Sequence, residues 1–377
     1  MKTILFLIMF SIVGSWLLLT WRRKPSTNLR SIDVIVPAFN EGPCLEQSLR
    51  NIYFNPYVNN VICVNDGSTD NTAELLDELA QANPRLTAVH QANSGKGGAL
   101  MNGLRFVTTK TVFLTDADTF VPRNDGLGHL LAEIERGADA AGGIPSSNLK
   151  GASLLPFVRA TVKFPMIVVK RQFQQLLGGA PFIISGACGL FRTDVLRSVG
   201  LSDRTKVEDL DLTWSLVARG YNVRQNARCV VYPQECKSLR EDWLRWRRWI
   251  VGYAVCMRLH RGLLLTRFGL FSILPMFLLV VVGIAAYAAA FLREASAGQA
   301  HLFPLTFVPL LWLGIVAVLG MISAIHHGRI RLIPLAPLAF LYVGLAYAVW
   351  SVHGLKGLFT GREPARDKPT RYSNVVG

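Results

Sequence analysis

Two short acidic stretches and two basic ones carry most of the chemistry this sequence can do. Asp116-Ala117-Asp118 directly follows the apolar run Thr111–Thr115. Carboxylates one residue apart at a strand end can converge on a hard divalent cation, Mg2+ or Mn2+, which takes oxygen ligands and bridges a diphosphate. A solvated acidic turn has the same composition. Glu208-Asp209 opens an amphipathic segment carrying Leu212, Leu216 and Val217, where acidic residues also suit the positive end of a helix. Asn93-Ser94-Gly95-Lys96-Gly97-Gly98 leads into a helix through Arg105. Glycines allow close backbone approach, and a helix N-terminus with a lysine favours a diphosphate. A surface turn would look similar, and a P-loop is excluded because position 90 is His rather than Gly. In Trp243–Trp249, arginines 245, 247 and 248 crowd beside Trp243, Trp246, Ile250, Tyr253 and Met257, which share one helical face. Such a face marks a helix lying at a membrane interface, which accounts for the tryptophans better than for the arginines.

The elements that must position these groups alternate. Strand Ile32–Val36 ends at Pro37, the loop Pro37–Glu41 follows, and Leu45–Asn51 reads as helix. Strand Val61–Val64 ends in Asn65-Asp66-Gly67-Ser68-Thr69-Asp70 and is followed by helix Thr72–Ala82. Thr87–His90 and Thr111–Thr115 are further strands. This order predicts an α/β domain with a parallel sheet and right-handed crossovers. Ligands bind such sheets beyond the carboxyl ends of the strands, where the polar loops lie.

Outside that region the chain of 377 residues is strongly apolar. Met1–Thr20 is long enough to span a bilayer and precedes Trp21-Arg22-Arg23-Lys24. Basic residues after the apolar run, with no small-x-small cleavage site, indicate an anchor rather than a cleaved signal. Positive charge stays inside, placing the N-terminus outside and residue 22 onward in the cytosol. Phe271–Leu292, Phe303–Ile325 and Leu332–Val352 are the other candidate spans. Four full crossings would put the basic tail outside, against the charge bias, unless a proline-containing segment is re-entrant. The expected division is an anchor over 1–21, a cytosolic domain over 30–238, an amphipathic interfacial region over 239–268, a transmembrane cluster over 270–353 and a basic tail over 354–377. The net charge of +15 is explained by basic residues flanking membrane segments, which anionic headgroups attract. No nucleic-acid-binding signature is present. The six cysteines form no CxxC pair or metal spacing and read as reduced thiols.

Taken in order, Pro37…Asn40-Glu41, Asn65-Asp66-Gly67-Ser68, Gly95-Lys96, Asp116-x-Asp118, Glu208-Asp209 and Arg245-x-x-Arg248-Trp249 resemble the membrane-bound family-2 glycosyltransferases, the group of cellulose, chitin, hyaluronan and poly-N-acetylglucosamine synthases. The resemblance covers Ile32 to Gly252. It implies a Rossmann-like, glycosyltransferase A-type domain joined to transmembrane helices. It further implies that Asp66 contacts uracil, Pro37 and Glu41 line the nucleotide pocket, and Lys96 lies near the donor. Asp116 and Asp118 would hold donor and metal, Asp209 would be the catalytic base with Glu208 beside it, and Ser185 and Gly186 would lie in the acceptor loop. Arg248 and Trp249 match a Q-x-x-R-W motif that binds the diphosphate and marks processive synthases. Arg245 stands in place of the Gln, and Asn65 replaces the first Asp of D-D-G-S, a form shared with some poly-N-acetylglucosamine synthases.

The expected function is inverting, Mg2+- or Mn2+-dependent transfer from UDP-N-acetylglucosamine to a growing β-linked glycan at the inner membrane, with membrane lipids and an accessory export subunit as partners. Transfer of one sugar to a polyprenyl phosphate is the alternative acceptor chemistry. A non-catalytic scaffold or export subunit would not need Asp116, Asp118 and Asp209 together. A transporter would carry ionisable residues inside its spans, and these spans hold almost none.

Overall fold

The computed structural model describes residues 31–202, 204–275 and 303–360, with isolated positions elsewhere, among them 371. The expected anchor Met1–Thr20 and the span Phe271–Leu292 beyond residue 275 lie, isolated positions apart, outside the described residues.

In chain order the elements are β1 (Ile32–Ala38), α1 (Gly42–Tyr53), β2 (Val58–Asp66), α2 (Thr72–Ala82), β3 (Leu86–Gln91), α3 (Gly95–Gly103), β4 (Thr111–Leu114), β5 (Thr119–Phe120), α4 (Gly126–Glu135), β6 (Ala140–Pro145), α5 (Leu154–Gly178), β7 (Gly189–Arg192), α6 (Thr193–Val199), α7 (Glu208–Ala218), β8 (Val223–Pro233), α8 (Leu239–Leu259), α9 (Phe303–His327) and α10 (Ala336–Thr360). The eight strands form one sheet in the order β3-β2-β1-β4-β7-β6-β8-β5. β3, β2, β1 and β4 are mutually parallel, as the alternation predicts. The sheet then turns mixed, because β7 runs antiparallel to both β4 and β6.

Side chains of successive strand residues point to opposite faces, and β1 feeds two cores accordingly. Ile35 packs with Ile62, Leu100 and Trp214 on one face, whereas Val34 and Val36 pack with Leu45, Leu49 and Phe113 on the other. α3 lies so close to the sheet that a Cβ on Gly103 would stand 2.7 Å from Ile35 Cγ2 and 3.0 Å from Val64 Cγ2. That closeness fixes the start of α3, and with it Lys96, over the strand ends.

α5 is a 25-residue helix with Pro165 inside it. One side of it meets α9, where Val318 and Ile322 pack on Phe164 and Val168. α10 runs alongside α8. Tyr342 touches Asp242 and Trp246, Trp350 meets Tyr253, and Gly357 abuts Val251 and Ala254. Most of the aromatic face expected to rest at a membrane interface is therefore covered by α10, with Trp246 and Tyr253 facing protein. Among the described residues, Pro309–His327 and Ile330–Gly354 are long and apolar enough to cross a membrane. They overlap the expected spans Phe303–Ile325 and Leu332–Val352, and Leu310, Met321, Ile325, Leu338, Leu341 and Leu345 on them are exposed. All six cysteines are buried and unpaired by disulfides.

Candidate active site

A cavity of about 850 Å3 opens at the carboxyl ends of β1, β2 and β4, roofed by α5, α7 and α8. Its lining includes Pro37, Glu41, Asp66, Lys96, Asp116, Asp118, Ser185, Gly186, Glu208, Asp209, Arg245, Arg248 and Trp249. The structure thus gathers into one space every residue to which the resemblance assigns a part in the site.

The first two loops are laced together. Asn40 takes φ +54°; its backbone N–H donates to Ser68 Oγ at 2.9 Å and its Oδ1 accepts from Thr69 N at 2.7 Å. Glu41 N donates to Thr72 Oγ1 at 2.9 Å, which seats the buried Glu41 at the cavity wall. Asp66 Oδ1 accepts from Ser94 N and Gln91 Nε2, both at 2.8 Å. Gly67 between them has φ +71°, and a Cβ there would lie 2.8 Å from Asn93 N, so no other residue fits this turn without a shift. Asn65 has a local reason as well. Its Oδ1 accepts from Ser68 N at 3.0 Å while its amide lies 3.1 Å from His90 Nδ1. An aspartate could make the second contact only to a protonated ring nitrogen.

Lys96 is the hub of the inner wall. Its Nζ lies 2.6 Å from Asp116 Oδ1 and 3.2 Å from Glu208 Oε1. Asp209, in the first turn of α7, accepts from Gly186 N at 2.9 Å through Oδ2. The Ser185-Gly186 loop is pressed against this pair: a Cβ on Gly186 would approach Lys96 Nζ to 2.9 Å. Burial raises the Asp209 pKa above the ordinary carboxylate range, the negative charge of Glu208 adds to the rise, and Lys96 opposes it.

Arg245 is held in a buried ionic network. Its Nη2 donates to Asp242 Oδ1 at 2.6 Å, and its guanidinium lies 5.2 Å from the centre of the Trp249 ring. Glu235, almost fully buried, pairs with Arg159 and lies 2.6 Å from Lys163 Nζ. Tyr342 of α10 donates to Asp242 Oδ2 at 2.6 Å. Where the motif has Gln, this chain has a cation whose charge is matched by Asp242 and Glu235.

Two groups of cavity residues lie outside the motifs. α5 turns Arg159, Lys163, Lys170 and Arg171 toward the cavity; a periodic reading of Leu154–Gly178 would have found Arg159, Lys163 and Lys170 four and then seven residues apart, on one helical face. Burial, helped by the neighbouring charge of Arg171, pushes Lys170 down to about 7. Arg171 is pushed down to about 10, again mainly by burial. The second group is Arg371, which the sequence offered only as part of a basic tail. Its Nε stands 2.8 Å from Glu41 Oε2, its Nη2 donates to Glu41 Oε1 at 2.9 Å, and its Nη1 pairs with Asp118 Oδ2.

No group of three or more His, Cys, Asp or Glu side chains that could hold a metal occurs among the described residues. Asp118 and Glu41 nevertheless already converge on one cation, the Arg371 guanidinium. Such an open, oxygen-only arrangement fits Mg2+ or Mn2+ completed by substrate phosphate oxygens.

Residues 33–200 match the family model "Glycosyl transferase family 2". Over the whole of this chain and 95% of the relative, the sequence is 62% identical to an uncharacterized glycosyltransferase, YaiP, of Escherichia coli strain K12. Poly-beta-1,6-N-acetyl-D-glucosamine synthase of Staphylococcus aureus is 27% identical over 61% of this chain and 57% of its own length. Among solved structures, the mannosyltransferase PcManGT from Pyrobaculum calidifontis, in complex with GDP-Man and Mn2+, superposes with a TM-score of 0.59 at 20% identity, covering 94% of this chain and 98% of that one. That likeness bears out the expected Rossmann-like, A-type α/β fold. With identity sustained along the entire chain and the family model spanning β1 to the end of α6, the protein is a member of glycosyltransferase family 2.

Proposed function

We propose that the protein is an inverting, metal-dependent N-acetylglucosaminyltransferase that elongates a β-linked glycan from UDP-N-acetylglucosamine, its catalytic domain on the cytosolic side of the inner membrane. The observation that carries this reading is Asp209, half-buried at the cavity wall beside the Lys96–Asp116 pair, tethered by Gly186 and made more basic by its surroundings. The acceptor hydroxyl gives its proton to Asp209 as its oxygen bonds to the anomeric carbon. The bond from that carbon to the diphosphate oxygen breaks on the opposite face, and its electron pair leaves with the nucleotide. A single displacement inverts the configuration. Lys96 and Arg248 face the charge that grows on the leaving diphosphate. Asp118, with Asp116 nearby, would hold the divalent ion, which supplies further neutralisation of the diphosphate when bound. Asp66, Pro37 and Glu41 would bind the uridine, and Ser185 and Gly186 the acceptor end.

The polymer reading is supported by Trp249 and Arg248 in the cavity and by the similarity to the staphylococcal synthase. The manganese and nucleotide sugar named for the archaeal relative support metal and donor use. The basic face of α5 supports a second reading, a sugar placed on a polyprenyl phosphate, because Lys163, Lys170 and Arg171 would meet an anionic head. Product analysis separates the two. Nanodisc-held enzyme given Mn2+ and labelled nucleotide sugars should yield long polymer cut by linkage-specific glycosidases. One sugar on an organic-extractable lipid would replace the polymer reading with the second, and no transfer from any donor would sink both.

The like charge of Glu208 also makes a prediction. In Glu208→Gln the acidic limb of the pH–rate profile should move to lower pH, because Asp209 loses a repelling neighbour and Lys96 is less shared. A limb that stays in place would remove Asp209 as the group that titrates there.

A further inference from the structure

The cation at the donor end of the cavity comes from far along the chain. Glu41, on the loop after β1, and Asp118, after β4, aim their carboxylates at one point, and Arg371 fills it. Two carboxylates this close repel unless a cation lies between them, and a guanidinium satisfies both with parallel donors. All three groups are well sheltered, with side-chain exposures of 6% for Glu41, 13% for Asp118 and 16% for Arg371. A divalent ion held by Asp118 would compete with this guanidinium for the same carboxylate. Two positive charges on one carboxylate repel each other, so uptake of the ion is opposed while Nη1 is paired with Asp118 Oδ2.

We propose that in the donor-free protein Arg371 stands in for the divalent ion, and that it must leave Asp118 before metal and nucleotide bind. The inference rests on Asp118 being a metal ligand. Arg371 then sets how readily the free protein takes up metal, because only the fraction of molecules with Asp118 released is competent to bind. A site occupied by its own arginine about nine-tenths of the time binds metal about tenfold more weakly than one without it. The arrangement also keeps the carboxylate pair neutralised, so the loops after β1 and β4 retain their geometry without metal.

The test is Mn2+ binding to the purified full-length protein in nanodiscs, without nucleotide, followed by loss of the free-ion electron paramagnetic resonance signal. Arg371→Ala should bind Mn2+ about tenfold more tightly than the native chain, and Asp118→Asn at least tenfold more weakly. Arg371→Lys keeps one charge but loses the fork, and should fall between native and Arg371→Ala. Unchanged or weaker binding by Arg371→Ala, with Asp118→Asn still impaired, overturns the role of Arg371 and leaves the metal site standing. Native-like binding by Asp118→Asn removes the metal from Asp118, and the proposal falls with it. Thermal unfolding of each variant guards against a misfolded sample.

Discussion

Asp209→Asn should lower the rate of sugar transfer by about a thousandfold, within the range that a positioned general base contributes, while donor binding changes little. The substitution is nearly isosteric. The amide oxygen can still accept from Gly186 N, and Lys96 keeps its contacts with Asp116 and Glu208. What disappears is the only function of that oxygen that a neutral amide cannot serve, taking a proton from the attacking hydroxyl. The effect should fall on kcat rather than on donor affinity. Initial rates with labelled donor, together with calorimetric titration of UDP, separate the two. A variant that retains more than a tenth of native activity would place the base elsewhere, with Glu208 the nearest alternative.

Glu235→Ala should produce the largest loss of stability, about 3–5 kcal/mol, the usual cost of removing one partner from a buried ionic cluster. Glu235 is 3% exposed. It accepts from Ser147 Oγ at 2.7 Å and Lys163 Nζ at 2.6 Å, and it pairs with Arg159. Without it, Arg159 and Arg245 share Asp242, and Lys163 loses the carboxylate it pairs with. Burial by itself would raise the Glu235 pKa, but Arg159, Lys163 and Arg245 outweigh it and hold the carboxyl down to about 2. A folded-state pKa below the unfolded value means that this stabilisation is complete above the ordinary carboxyl range near 4.5 and fades as pH falls toward 2. Unfolding midpoints of native protein and Glu235→Gln should therefore converge on acidification through that window. Midpoints that stay parallel would show that the cluster does not hold α5 to the loop after β8.

The donor half of the site was readable because its parts are local. Each of β1, β2 and β4 is a compact apolar run that ends in its own polar motif, so strand order alone carried Glu41, Asp66 and Asp118 to one edge. The far half was not. β6 reads Ala-Ala-Gly-Gly-Ile-Pro, with little of the branched or aromatic character that marks a strand, and its place in the sheet is fixed by β7 and β8 instead. The aromatic face of α8 carries no sign in its sequence of whether lipid or protein will cover it; α10 decides that. The replacement of Gln by Arg245 likewise leaves open where the added charge is balanced, and only the packing of Asp242 and Glu235 shows it.

The position of Arg371 bears on membrane topology. A residue that grips Asp118 shares a compartment with the catalytic domain. Residue 371 and the cavity therefore lie on one side of any bilayer the chain enters.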